Sequence, residues 1–204
     1  MPMVGSGTRL GLAALVGAAI GALTSALQPQ LDLPWFALVD ASSPWLLGGF
    51  VAGALQSRRR LAMVAGLAAC ALEVAAYYAT NAVRGYGELS TVMGFWAVCA
   101  VIGGPVFGWA GWTWLRGQGR TRALGGAFLP ATFLAESVGS YWFEVHYMSS
   151  FALFAVIGTA LLTVVAWPAR RLIPPLLGST ALLTAAGIFL YGPLLSLTTG
   201  GRLM

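Results

Sequence analysis

The stretch Arg58-Arg59-Arg60-Leu61-Ala62-Met63-Val64-Ala65-Gly66-Leu67-Ala68-Ala69-Cys70-Ala71-Leu72-Glu73-Val74-Ala75-Ala76-Tyr77-Tyr78-Ala79-Thr80 decides the fold. Three arginines precede a long apolar run whose single charge is Glu73. Roughly 20 apolar residues, rising about 1.5 Å each in a helix, cross the hydrocarbon core of a bilayer. A surface helix of a soluble domain would carry a charged face, and this one has none. Six other stretches read the same way. The seven expected spans are 10–27, 44–57, 61–80, 91–115, 123–143, 150–167 and 176–197. The second is short, and its helix can begin as early as Trp35.

Composition agrees with this reading. Of 204 residues, 58% are hydrophobic and 8% charged, with a mean hydropathy of +0.81. A soluble domain carries about 25% charge, so this chain lacks the means to cover a water-facing surface. A cytosolic enzyme, a nucleic-acid binder and a disordered tail are excluded. The net charge of +5 comes from arginines in short clusters between apolar runs, a topology pattern with no nucleic-acid partner implied. The expected fold class is therefore all-α: a polytopic seven-transmembrane helix bundle forming one domain, 1–204. The first span has only Arg9 before it and no small-x-small cleavage site, so it reads as retained. Cys70 and Cys99 lie inside apolar runs and read as packing residues.

Arginine placement sets the expected orientation. Arg9, Arg58, Arg59, Arg60, Arg116, Arg120, Arg122, Arg170 and Arg171 flank the spans on one side, and Arg84 and Arg202 on the other. The basic side is cytoplasmic by the positive-inside rule, giving N-terminus in, C-terminus out, in a bacterial cell membrane. Asp32, Asp40, Glu88 and Glu144 fall at the outer ends. The cytoplasmic arginines also suit contact with anionic membrane lipid.

A weak internal repeat relates spans three and four to spans five and six. The first pair reads Leu72-Glu73-x4-Tyr78 and then Ala100-Val101-Ile102-Gly103; the second reads Ala135-Glu136-x4-Tyr141 and then Ala155-Val156-Ile157-Gly158. The repeat is parallel, unlike the inverted repeats of many secondary transporters. Gly17-x3-Gly21, Gly49-x3-Gly53 and Gly104-x3-Gly108 place small residues one above another, for close helix packing. Pro105 is expected to kink span four.

Chemistry points to the two acids inside spans. Glu73 lies 13 residues beyond Arg60 and Glu136 lies 14 beyond Arg122, so both are expected at similar depth, roughly 20 Å from the cytoplasmic boundary. An acid at membrane depth is costly and a functional candidate by default, here as a neutral carboxylic acid. Steps of four add Tyr77 and Asn81 to the face of Glu73, and Ser140 to that of Glu136. With Tyr78, Trp96, Tyr141, Trp142, Trp35 and Asp40 these form the expected substrate wall. An interfacial aromatic belt accounts for the same aromatics without any ligand, and a hydrogen bond to Tyr, Ser or Asn accounts for either glutamate. The outer connection 28–43 reads as a surface loop or as a lid. His146 is the only histidine, so no His-based metal site or catalytic triad can form. No Asp-rich diphosphate motif, Cys-x2-Cys, Gly-rich phosphate loop or His-Glu-x2-His occurs. No metal or cofactor is expected.

The run Ser42-Ser43-Pro44-Trp45-Leu46-Leu47, with Tyr77-Tyr78 and Gly104-Pro105-Val106-Phe107-Gly108, resembles a family of small actinobacterial integral membrane proteins of unassigned function. More loosely, the plan is similar to the integral-membrane terpene cyclases of meroterpenoid and drimane-type pathways. That resemblance implies about seven spans, no metal, and an acid pair that protonates and deprotonates a prenylated substrate, mapped onto Glu136 and Glu73. Leu72 and Ala135 precede the glutamates where fungal members pair Trp with Glu.

The leading expectation is a metal-independent terpenoid cyclase or isomerase of secondary metabolism. Glu136 is the acid and Glu73 its partner or base, in either order, and aromatic faces stabilise carbocations. The partner is a lipophilic small molecule. The second expectation is transport, by a small substrate-capturing subunit or a proton-coupled carrier using the same acids. The third is a structural membrane protein indifferent to both glutamates.

Overall fold

The computed structural model describes residues 6–87 and 90–199. Glu88, Arg202 and the C-terminal residue, all used in the expected orientation, lie outside the described residues. Among the described residues every regular element is helical. Eight α-helices follow one another: α1 (Ser6–Leu27), α2 (Trp35–Asp40), α3 (Ser42–Ala54), α4 (Arg59–Val83), α5 (Ser90–Arg116), α6 (Gly119–Glu136), α7 (Met148–Ala166) and α8 (Ile173–Thr199). A tight turn at Gln28–Gln30 leaves α1, a wide π turn at Ser137–Glu144 prolongs α6, and a 3-10 segment at Trp167–Leu172 links α7 to α8.

Each expected span has its helix, and the connection 28–43 contains an additional short one. Trp35–Asp40 is a separate helix, broken from α3 by extended backbone at Ala41. Among the described residues five helical segments are long and apolar enough to cross a membrane: Gly7–Gln30, Arg59–Val83, Thr91–Arg116, Met148–Ala166 and Arg170–Leu190. Large apolar side chains stand outward on them, among them Ile102, Val156, Leu182 and Phe189. Such an exterior belongs in lipid. The other two expected spans differ in kind. α6 opens with Arg120 and Arg122. α3 has 13 residues and is about 20 Å long, short of the roughly 30 Å hydrocarbon core.

The helices form two groups. α4 packs along α1 and α5, with α3 laid across α4 and α5; α6 packs along α8 and α7, and α5 meets α6 between the groups. Glycines set the close approaches in the first group. A Cβ at Gly21 would lie 2.0 Å from the carbonyl oxygen of Glu73, and one at Gly53 would lie 2.0 Å from that of Gly108. The Gly17, Gly49 and Gly104 positions likewise face Ala69, Cys70 and Gly66 of α4. Where lipid gives helices no hydrophobic reason to associate, such contact supplies the attraction.

Both ends of the short α3 are held by charged side chains. Arg9 donates to the carbonyl of Leu55 at 3.1 Å and Arg116 to that of Ala54 at 2.6 Å. The carboxylate of Glu136 sits at the opposite end. Cations at a helix C-terminus and an anion at its N-terminus complement the helix dipole and occupy its orphan carbonyls and N–H groups. A half-length helix thereby has side-chain partners at both ends.

Candidate functional site

Glu136 ends α6 and turns toward the first residues of α3. The backbone N–H groups of Ser42 and Ser43 donate to its two carboxyl oxygens at 3.0 and 2.9 Å, and the Ser42 hydroxyl donates at 3.0 Å. The Ser43 hydroxyl makes a fourth bond to Oε2. The side chain is 5% exposed. Four donors on two oxygens form a cap in trans, supplied by a residue more than ninety positions away, and they replace the water the carboxylate has lost.

Glu73, in the middle of α4, is the opposite case. It is 0% exposed, and neither carboxyl oxygen has a hydrogen-bond partner among the described residues. Gly21 presses on its backbone from behind, and its Oε2 lies 3.2 Å from where a Cβ of Gly48 would be. The absence of a side chain at Gly48 therefore makes room for the carboxyl.

Glu73 lines a cavity of about 520 Å³, within the range of small-molecule sites. Trp45 and Leu46 of α3, Cys70 of α4, Trp96 and Phe107 of α5 and Gly187 of α8 are among the other lining residues. The cavity exists because α5 and α8 barely touch. Exposed apolar residues, Val98, Ile102 and Leu190, form its rim on those helices. Trp45, Trp96 and Phe95 follow one another along one wall, at 5.6 and 5.4 Å between ring centres, and Tyr77 and Tyr78 continue the chain behind Trp45, at 5.4 and 5.1 Å.

Glu136 lines a second, smaller cavity of about 210 Å³, with Asp40, Ser140, Tyr141 and Tyr147. Ser42, Phe95, Trp96 and Cys99 line both cavities and so form the partition. The two acids thus border neighbouring chambers. They address α3 at different heights, Glu136 at Ser42 and Ser43 and Glu73 at Gly48, roughly 8–9 Å apart along the helix axis.

The remaining expected site residues divide. Tyr77 stands behind Trp45 and donates to Gln28 Oε1, while Gln28 donates to Asp40 at 3.1 Å, tying the connection 28–43 to α4. Tyr78 extends the aromatic chain from Tyr77. Asn81 accepts from the Ser25 hydroxyl at 2.6 Å and joins α1 to α4. Tyr141 packs on Phe154, at 4.8 Å, beside the small cavity. Trp142 is 45% exposed and stacks on Phe151, and Trp35 is 57% exposed; neither lines either cavity. Trp45, Cys99 and the Ser42–Ser43 pair are the residues that sequence reasoning left without a role. Ser-Ser-Pro opening an apolar run is a helix-start signal, and it marks the free N–H groups that an acid could cap.

No group of three His, Cys, Asp or Glu among the described residues could hold a metal ion. No curated protein and no solved structure matches the chain. Residues 3–197 match the family model described as a family of unknown function (DUF6518), and the chain belongs to that family.

Proposed function

We propose that this protein is a multi-pass bacterial cell-membrane protein, N-terminus cytoplasmic and C-terminus outside, in which α3 and α6 complete a seven-span bundle around a chamber for a lipophilic, prenylated small molecule. Glu73 is its acid. The observation that carries this reading is a fully buried carboxyl without a hydrogen-bond partner among the described residues, on the wall of a 520 Å³ cavity that is otherwise almost entirely apolar. Burying such a group uncompensated costs stability, and function is the reason such costs are kept at membrane depth.

The chemistry is redox-neutral terpenoid cyclisation or isomerisation. The Glu73 O–H bond breaks and a C–H bond forms on a substrate alkene, leaving a carbocation and the carboxylate. A new C–C bond or a shifted cation follows, and loss of a proton from the adjacent carbon restores an alkene. Glu73 takes that proton back, because Glu136 is committed to α3. The faces of Trp45, Trp96, Phe95 and Phe107 offer cation–π stabilisation without a nucleophile. The rim of Val98, Ile102 and Leu190 suits a substrate arriving sideways from lipid.

The test is expression in a host fed prenylated indole or diketopiperazine precursors, with extracts compared against Glu73→Gln. General acid catalysis contributes about 10²–10⁴-fold, so product should fall by that factor while the variant remains folded. Undiminished product from Glu73→Gln would end the assignment. The adjoining outer cavity favours one alternative, capture of a solute for transport. That reading predicts uptake into proteoliposomes and no turnover in detergent.

A further inference from the structure

A second polar group in the large cavity has no partner. The indole N–H of Trp45 is buried and makes no hydrogen bond among the described residues, although a buried Trp N–H ordinarily finds an acceptor. Its position relative to Glu73 follows from the α3–α4 seam. The carbonyl of Trp45 lies 4.0 Å from the Cys70 sulfur, and Gly48, three residues on, faces Glu73, three residues beyond Cys70. The Trp45 ring itself lies between Tyr77 and Trp96. The two groups unpartnered among the described residues thus belong to residues of neighbouring helices that line the same cavity.

We infer that the ligand of this chamber is a lipophile carrying one oxygen function, a hydroxyl or a carbonyl, whose oxygen accepts from Trp45 Nε1–H and meets the Glu73 carboxyl. This names the substrate class within the chamber reading above and rests on it. The rest of the ligand is hydrocarbon, since the remaining wall is nearly all apolar. Trp45 is then a specificity residue: it rejects the deoxygenated analogue by leaving its own N–H, and the acid, unpaired.

The experiment is scintillation-proximity binding of tritiated farnesol to the full chain in nanodiscs, competed by unlabelled farnesol, farnesyl methyl ether and farnesene. The ether keeps the acceptor oxygen and the hydrocarbon lacks it. Farnesol and its ether should compete about tenfold better than farnesene, and Trp45→Phe should bring all three to the level of farnesene. Equal competition by farnesene against the wild-type chain overturns the anchor and leaves an oil-binding chamber, its polar pair bridged by water. An ether that behaves as farnesene does shows that Trp45 is not the donor, whether or not Trp45→Phe folds. Absence of saturable farnesol binding overturns the chamber reading and the anchor together.

Discussion

Glu136 and Glu73 hold matching places in two hairpins, both buried and both turned toward α3, yet among the described residues one receives four hydrogen bonds and the other none. At membrane depth the cost of an acid depends on what replaces its water. For Glu136 the replacement is a helix N-terminus with two serine hydroxyls, and the acid becomes a fastening. For Glu73 the described residues provide apolar walls and a space, with no hydrogen-bond partner among them.

The contrast can be broken from either side. The largest expected effect is on stability at Glu136. Replacement by Ala strands four buried donors at the start of α3 and should cost about 3–5 kcal/mol, read as a lowered unfolding midpoint in detergent. A midpoint like that of wild type would show that α3 does not need its cap. Ser43→Ala removes one of the four donors and should cost about 1–3 kcal/mol, the range of a lost buried hydrogen bond to a carboxyl. Glu73→Leu should act in the opposite direction. Removing an uncompensated carboxyl is expected to raise stability by about 1 kcal/mol, and a marked loss would mean that Glu73 has a structural partner. At the far end of α3, Arg116→Gln should cost only about 0.3–1 kcal/mol, since Arg9 still caps Leu55.

The smallest effect concerns the partition. Cys99→Ala changes little buried volume, and stability should stay within about 0.5 kcal/mol. Because Cys99 borders both cavities, the substitution should shift competition toward longer prenyl alcohols. An unchanged chain-length preference would place the partition elsewhere.

Much of this architecture was legible in the residues. Apolar runs between arginine clusters locate every long helix to within a few positions, because lipid demands continuous helix and leaves little else to choose from. The three Gly-x3-Gly pairs predict the close seams, because small residues let helix backbones approach. The short α2 was less legible: Trp35–Asp40 is only six residues, too brief for a periodic signal. The pairing of Glu136 with Ser42 and Ser43 was illegible, since its partners lie 93 and 94 positions apart in sequence and an acid within an apolar run looks alike whether capped or free. Counting residues from the arginines placed the two glutamates at one depth. They meet α3 at different heights because Glu136 reaches for the start of that helix while Glu73 faces its middle. The Trp45 indole escaped notice because an unpartnered N–H is a property of packing, which no single-sequence pattern records.

The most direct test of the division between fastening and reagent is labelling of the intact protein in membranes with dicyclohexylcarbodiimide, a lipophilic reagent for carboxylic acids in apolar surroundings, followed by peptide mass spectrometry. The account predicts an adduct on Glu73 and none on Glu136. An adduct on Glu136 with Glu73 unmodified would contradict it.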